Sequence, residues 1–90
     1  SDYTKAIEID PQYENAYYNR GLSKSKIKDY YGAISDYTKA IEINPNSEII
    51  FKNRGIAKEL IGDLNGACFD WQKSISLGNK KAEQWVKDQC

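Results

Sequence analysis

The side chains that could support catalysis are few in this sequence. Its 90 residues contain no histidine, so no imidazole is present to activate a serine or cysteine nucleophile. The six glycines stand singly and form no phosphate-binding loop. Carboxylates such as Asp36 and Glu42 are expected on a solvated helix face, and the two cysteines do not form a zinc pattern. We therefore predict no enzymatic activity, no cofactor and no metal site.

Two asparagines offer a different chemistry, because an amide both donates and accepts hydrogen bonds and so matches a peptide backbone. Each stands in the same tripeptide, Asn19-Arg20-Gly21 and Asn53-Arg54-Gly55. Two interpretations remain open at this stage. Either the amides face a peptide ligand, or each Asn hydrogen-bonds a neighbouring helix while the Arg lays its stem along the core.

The charge balance disfavours some classes of partner. Thirteen Lys and Arg offset thirteen Asp and Glu, so the formal net charge is zero. This disfavours nucleic-acid binding, which needs a basic face for phosphates, and a polybasic membrane-surface segment. No apolar run approaches the roughly 18 residues of a membrane span. We expect a protein or peptide partner, no nucleic acid and no membrane.

An internal repeat of 34 residues must position these side chains. Residues 1–11 read SDYTKAIEIDP and residues 35–45 read SDYTKAIEINP, with ten of the eleven pairs identical. Across the full offset, nineteen of thirty-four pairs are identical. A period of this size is typical of solenoids, in which neighbouring units cover the apolar faces that one unit cannot bury alone.

The apolar spacing predicts that each unit is a pair of helices. Steps of 3, 1, 3, 3 and 1 from Tyr30 to Ile41 make one apolar face on a helix of period 3.6, which Asn44-Pro45 ends. The other predicted helices are residues 14–27, 48–61, 64–77 and 80–90. The expected organisation is the second helix of a truncated repeat in residues 1–13, repeat units in residues 14–47 and 48–79, and a capping helix in residues 80–90. Because the chain opens inside a helix, we expect the native N-terminus upstream, and a missing targeting signal says little about location.

This pattern resembles the tetratricopeptide repeat. Residues that fit the signature positions of that family are Tyr17, Gly21, Ala33, Tyr37, Ala40 and Pro45 in the first unit, and Phe51, Gly55, Ala67 and Trp71 in the second. At the last two signature positions the second unit departs, with Ser74 and Asn79. The resemblance implies an all-α solenoid of antiparallel helix pairs, wound as a right-handed superhelix, that starts with a half-repeat and ends with a capping helix.

The resemblance also implies a concave groove, lined by the first helix of each unit, that binds an extended or helical peptide. The candidate peptide-binding residues are Asn15, Tyr18, Asn19, Leu22, Lys26, Lys52, Asn53 and Ile56. Among the tyrosines, Tyr18 is the ring expected to face a ligand. The carboxylate clamp of chaperone-binding members is incomplete here. Tyr18 and Leu22 stand where the first unit would need Lys and Asn, and Ile56 stands where the second would need Asn.

The sequence therefore predicts a protein-interaction module. A second hypothesis is a structural or assembly segment that self-associates through its N-terminal edge, where Tyr3, Ile7 and Ile9 would lack an upstream helix to cover them. An RNA-binding helical repeat is disfavoured by the zero net charge.

The two cysteines allow one further inference about structure. If the last two helices are antiparallel, residue 68 lies opposite about residue 89, so the Cys68 and Cys90 sulfurs could be close enough for a disulfide. The alternative is a small buried thiol at Cys68 and a frayed terminal Cys90.

Overall fold

The computed structural model describes residues 14–90, and within that range every regular element is helical. Residues 1–13 lie outside the described part of the chain, and with them the expected half-repeat and the edge invoked for self-association. Five α-helices and one short 3-10 turn follow one another in the described residues. They are α1 (Glu14–Lys26), α2 (Tyr30–Ile43), α3 (Glu48–Leu60), α4 (Leu64–Ser76), the 3-10 turn Lys80–Ala82 and α5 (Glu83–Gln89).

The helices pack in the order of the chain, α1 on α2 and α3 on α4, and α2 also packs on α3. This arrangement confirms the predicted all-α solenoid of helix pairs. Three of the helices end one residue earlier than the apolar spacing predicts. The last predicted helix is shorter and divided, because the Asn79 side chain accepts a hydrogen bond from Lys81 N–H at 2.9 Å and the chain first makes a 3-10 turn.

Equivalent aspartates begin the second helix of each unit. Asp29 accepts a hydrogen bond from Gly32 N–H at 3.0 Å, and Asp63 accepts one from Gly66 N–H at 2.9 Å. Each carboxylate thereby satisfies a backbone donor that a helix leaves unpaired in its first turn. These caps fix where α2 and α4 start and hence which residues of each helix face the first helix of the unit.

The turns before those caps differ in one residue. The second unit has Gly62 at φ 89°, whereas the first has Lys28 at φ 66° in the equivalent place. A left-handed conformation is unstrained for glycine but costs roughly 1–2 kcal/mol for a residue with a Cβ atom. The two turns therefore have the same shape, but the first one is strained.

Close contact within each pair depends on a glycine in the first helix. A Cβ added at Gly21 would lie 2.6 Å from the Tyr37 ring, and one at Gly55 would lie 2.6 Å from Trp71 Nε1. Tyr37 and Trp71 are each 1% exposed, so neither ring has free space to move into. Small residues at these two positions let the helices approach closely enough to bury the rings.

The C-terminal segment closes the core behind α4. Ala67, Trp71 and Ala82 form a buried cluster, against which the half-buried side chains of Trp85 and Val86 pack. The Trp71 and Trp85 ring centroids lie 5.3 Å apart. This packing supports the predicted role of the last helix as a cap over the second unit.

A disulfide joins Cys68 of α4 to Cys90, the residue after α5. The structure therefore selects the first of the two alternatives that the sequence left open for these cysteines. The link closes a loop of 22 residues that contains the 3-10 turn and α5, so it ties the capping segment covalently to the second unit. No helix of residues 14–90 is both long and apolar enough to cross a membrane.

The two unit turns provide a reciprocal test of backbone strain. We expect Gly62→Ala to lower the free energy of unfolding by about 1 kcal/mol, because alanine must then adopt a left-handed conformation. Lys28→Gly should not lower it, because relief of strain offsets the extra freedom of the unfolded chain. Urea denaturation of both variants measures the difference, and equal losses would contradict the assignment of strain to Lys28.

Removal of the disulfide should destabilise the chain. For a loop of this size, chain entropy predicts a loss of about 3 kcal/mol in the free energy of unfolding. Urea denaturation of the Cys68→Ser/Cys90→Ser variant measures the loss, and reductant should lower the wild-type midpoint to the same value. Reductant should leave the double variant unchanged, and a wild-type midpoint insensitive to reductant would show that the link contributes nothing.

Candidate functional site

A pocket of about 250 Å³ opens between α1 and α3, with α2 side chains at its base. It is lined by Leu22, Ser25, Tyr30, Tyr37, Asn53, Ile56, Ala57 and Leu60. None of these eight side chains carries a formal charge at neutral pH. The pocket lies on the face where the sequence predicts the groove, because Leu22, Asn53 and Ile56 are among the candidate binding residues.

An amide and a hydroxyl meet at the edge of this pocket. Asn53 Nδ2 of α3 donates a hydrogen bond of 2.9 Å to the Tyr18 hydroxyl of α1. The Tyr18 ring also packs against Tyr37 with ring centroids 5.9 Å apart. Burial raises the pKa of Tyr18 above its ordinary value, and the hydrogen bond from Asn53 opposes that rise. The Tyr18 hydroxyl is therefore protonated at neutral pH.

This contact bears on the two interpretations left open for the asparagines. Asn53 does hydrogen-bond a neighbouring helix, as the structural interpretation requires. The bond uses one amide N–H and the hydroxyl oxygen, so it does not use the Asn53 side-chain carbonyl oxygen or the Tyr18 hydroxyl proton. The Asn53 amide can therefore join two repeat units through Tyr18. Its carbonyl oxygen can still accept a hydrogen bond, and the Tyr18 hydroxyl can still donate one.

The base of the pocket is held by a buried tyrosine. Tyr37 and Ser25 have their hydroxyl oxygens 3.3 Å apart. Burial raises the pKa of Tyr37, and the hydrogen bond with Ser25 partly opposes that rise. A neutral, packed ring therefore forms the floor, and its position is fixed by the contact with Gly21.

Basic side chains of both units are bound to buried carboxylates, so the expectation that Asp36 lies on a solvated helix face is wrong. In the first unit, Asp36 accepts from Arg20 at 2.7 and 2.8 Å and lies 3.2 Å from Lys24 Nζ. The hydrogen bond with Asp36 raises the pKa of Arg20 above its ordinary value. Two cations on one carboxylate leave neither side chain free to line the groove.

The second unit repeats this cluster with deeper burial. Asp70 is 0% exposed, accepts from Arg54 at 2.7 and 2.8 Å and lies 3.1 Å from Lys58 Nζ. Arg54 also donates to the Thr38 hydroxyl of the preceding unit at 3.2 Å. The cluster thus holds α3 to α4 and, through Thr38, the second unit to the first.

The structure brings four of the eight candidate binding residues together and separates the other four from the pocket. Tyr18, Leu22, Asn53 and Ile56 lie in or at the edge of the pocket. Asn15 and Lys26 are exposed, and Asn19 and Lys52 are half-buried, but none of these four lines it. Their role in binding stays a prediction.

The candidate binding residues of the sequence analysis omit five residues that line the pocket, which are Ser25, Tyr30, Tyr37, Ala57 and Leu60. Tyr30 belongs to a second helix, which family analogy places behind the groove. The sequence signal that could have found Tyr30 was the size of its side chain, because the equivalent residue of the second unit is the smaller Leu64. No group of metal-ligating side chains that could hold an ion occurs in residues 14–90.

Comparison with known proteins agrees with this architecture. The tetratricopeptide repeat family model matches residues 14–47. No curated protein matches the chain in sequence. The solved structure of the first TPR of Spaghetti (RPAP3), bound to the HSP90 peptide SRMEEVD, is similar, with a TM-score of 0.89 and 25% identity. The match covers 96% of this chain and 70% of that one.

Two further solved structures are similar in fold. The N-terminal domain of stress-induced protein-1 (STI-1) from C. elegans has a TM-score of 0.88 and 23% identity, over 97% of this chain and 75% of that one. A crystal structure of MamA protein has a TM-score of 0.80 and 30% identity, over 90% of this chain but only 44% of that one.

The buried cluster at Asp70 generates a prediction about stability. Asp70→Asn keeps the shape but leaves Arg54 and Lys58 without a counter-charge, so we expect a loss of about 3 kcal/mol in the free energy of unfolding. The matched control is Glu42→Gln, since the exposed Lys39–Glu42 pair should contribute less than about 1 kcal/mol. Urea denaturation measures both, and equal effects would contradict a structural role for the cluster.

Proposed function

Residues 14–47 match the tetratricopeptide repeat family and the chain has the fold of solved TPR structures, and from that premise we propose that it binds a partner polypeptide in the groove between α1 and α3. Its fold is that of protein-interaction modules. The observation that carries the proposal is the uncharged pocket between the two helices, with the Tyr18–Asn53 pair at its edge. The pocket, rather than the fold alone, is the basis for placing the partner there.

A polypeptide is the partner that suits this edge. The Asn53 carbonyl oxygen accepts a hydrogen bond, and the Tyr18 hydroxyl donates one, so together they complement the N–H and C=O of one peptide backbone. Both groups are held before binding, because they are hydrogen-bonded to each other and Tyr18 packs on Tyr37. Preorganised groups lose less conformational freedom when a ligand binds.

A structural relative supports the same class of partner. The first TPR of Spaghetti (RPAP3) is bound to the HSP90 peptide SRMEEVD in its solved structure, and 96% of this chain matches it. We propose that this chain also takes a peptide, with the groove residues Asn15, Asn19, Lys26 and Lys52 extending the contact beyond the pocket.

The two asparagines provide the test. A peptide array identifies ligands, and we expect the Asn19→Ala/Asn53→Ala variant to bind them about tenfold more weakly, because hydrogen bonds contribute roughly 0.5–1.5 kcal/mol each. The matched control is Asn65→Ala/Gln72→Ala, which removes two exposed amides from α4, away from the groove. Circular dichroism and urea denaturation check that both variants fold. Binding unaffected by the groove variant would place the partner on another surface.

A further inference from the structure

The pocket between α1 and α3 indicates the chemistry of the proposed ligand as well as the place where it binds. Resting on the proposed function, we infer that the groove selects an internal peptide segment with one apolar side chain in the pocket and acidic residues on both sides of it. A C-terminal carboxylate is not the group that this groove recognises. The inference depends on the side chains that line the pocket, on the ion pairs between four basic side chains and the buried aspartates, and on the position of two further lysines.

The lining of the pocket favours an apolar anchor. Its aliphatic side chains come from α1 and α3, and its polar atoms belong to Ser25, Asn53 and two tyrosines of α2, all uncharged. Its volume of about 250 Å³ lies below the roughly 300–1,000 Å³ of pockets that enclose a whole small molecule. One side chain of leucine or phenylalanine size, entering from a backbone outside, is the ligand that this space suits.

The nearby cations are not available to a carboxylate ligand. Lys24 and Lys58 each lie within 3.2 Å of a buried aspartate oxygen, and the two arginines of these units make two hydrogen bonds each to the same aspartates. Removing one of these cations from its partner would leave the negative charge of a buried carboxylate without enough positive charge beside it. A terminal carboxylate placed in the pocket would therefore meet hydroxyl and amide groups, because no cationic side chain lines the pocket and these four cations are already paired.

Two other lysines flank the pocket along the groove. Lys26 lies one turn after Leu22 on α1, and Lys52 lies one turn before Ile56 on α3, so each shares a helix face with a pocket residue. Neither lysine forms a salt bridge with any residue in the described range. In the 34-residue register, Lys26 corresponds to residue 60, which lies eight residues beyond Lys52.

This spacing sets where the acidic residues belong. Eight helical residues span about 12 Å, at 1.5 Å per residue. An extended peptide covers that distance in about four residues. Acidic side chains roughly two residues before and two residues after the anchor would therefore reach Lys52 and Lys26, one at each end of the pocket. The groove is thus complementary in charge to such a peptide at its ends and uncharged at its centre.

The test uses short peptides with acetylated N-termini and amidated C-termini, so that they carry no terminal charge. The probe has one leucine with glutamates two residues before and after it, and affinity is measured by fluorescence polarisation. We expect leucine→serine to weaken binding at least tenfold. Replacement of both glutamates by lysine should weaken binding. The affinity of that lysine peptide should no longer fall when salt is added, because no attraction between opposite charges is left to screen. A free C-terminal carboxylate should change the affinity less than twofold.

Protein variants locate the effects. Ile56→Ala should weaken binding of the leucine probe, whereas Leu64→Ala, which removes an exposed leucine from α4, should not. The charge reversal Lys26→Glu/Lys52→Glu should weaken the glutamate probe and strengthen its lysine counterpart. This exchange of preference is a readout that simple loss of folding cannot produce.

Three outcomes would overturn the inference. If a peptide without the apolar anchor binds the groove and its affinity depends on a free C-terminal carboxylate, the groove binds peptides but not by this chemistry, and the proposed function stands. If light scattering shows a dimer that Ile56→Glu abolishes, a second copy of this chain is the occupant instead. If no peptide of the array binds and the chain stays monomeric, the proposed function fails together with the inference.

Discussion

In each repeat unit, a glycine of the first helix packs directly against an aromatic ring of the second. Gly21 faces Tyr37 and Gly55 faces Trp71, at distances that leave no room for a Cβ atom. Because the rings are fully buried against backbone, the spacing of each helix pair is determined by the ring. In the first unit the same ring is the floor of the pocket. In the second unit the Trp71 ring packs against Trp85 of the capping segment. Stability and the shape of the candidate site therefore depend on one kind of contact.

Burial of carboxylates organises the electrostatics of the molecule. Asp36 and Asp70 each accept hydrogen bonds from an arginine and lie beside a lysine, so four of the basic side chains compensate charge inside the fold. Net charge alone would not predict this distribution, since a chain with zero net charge can still carry a basic groove. Here Arg20, Lys24, Arg54 and Lys58 are already paired, and none of the side chains that line the pocket is charged.

A shared fold does not fix what a groove recognises. The first TPR of Spaghetti (RPAP3) has a fold similar to that of this chain and is bound to the HSP90 peptide SRMEEVD. In this chain, Tyr18, Leu22 and Ile56 lie in or at the edge of the pocket, where they provide an aromatic hydroxyl and two apolar side chains. Proteins that share a backbone fold can therefore differ in ligand, because a few side chains decide which chemical group a surface accepts.

The sequence by itself determined the repeat, the helix pairs and the faces that the helices present. Near-identity at an offset of 34 residues defined the unit, and the positions of Gly21 and Tyr37 indicated where the helices approach. The resemblance to the tetratricopeptide repeat also predicted that Leu22, Asn53 and Ile56 share one surface, because the family pattern assigns each position of a repeat to a helix face. The helix ends were predicted less well, since capping contacts such as that of Asn79 depend on local geometry.

Only the tertiary structure decided how those faces meet. The hydrogen bond from Asn53 to Tyr18 joins residues 35 positions apart, and the pairing of Lys24 with Asp36 requires two helices at a particular distance. The inclusion of Tyr30 and Ala57 in the pocket has the same origin. Periodicity gives the direction of a side chain relative to its own helix. The distance to the next helix is set by the size of the rings packed between them, and that distance determines which polar groups meet and where a cavity remains.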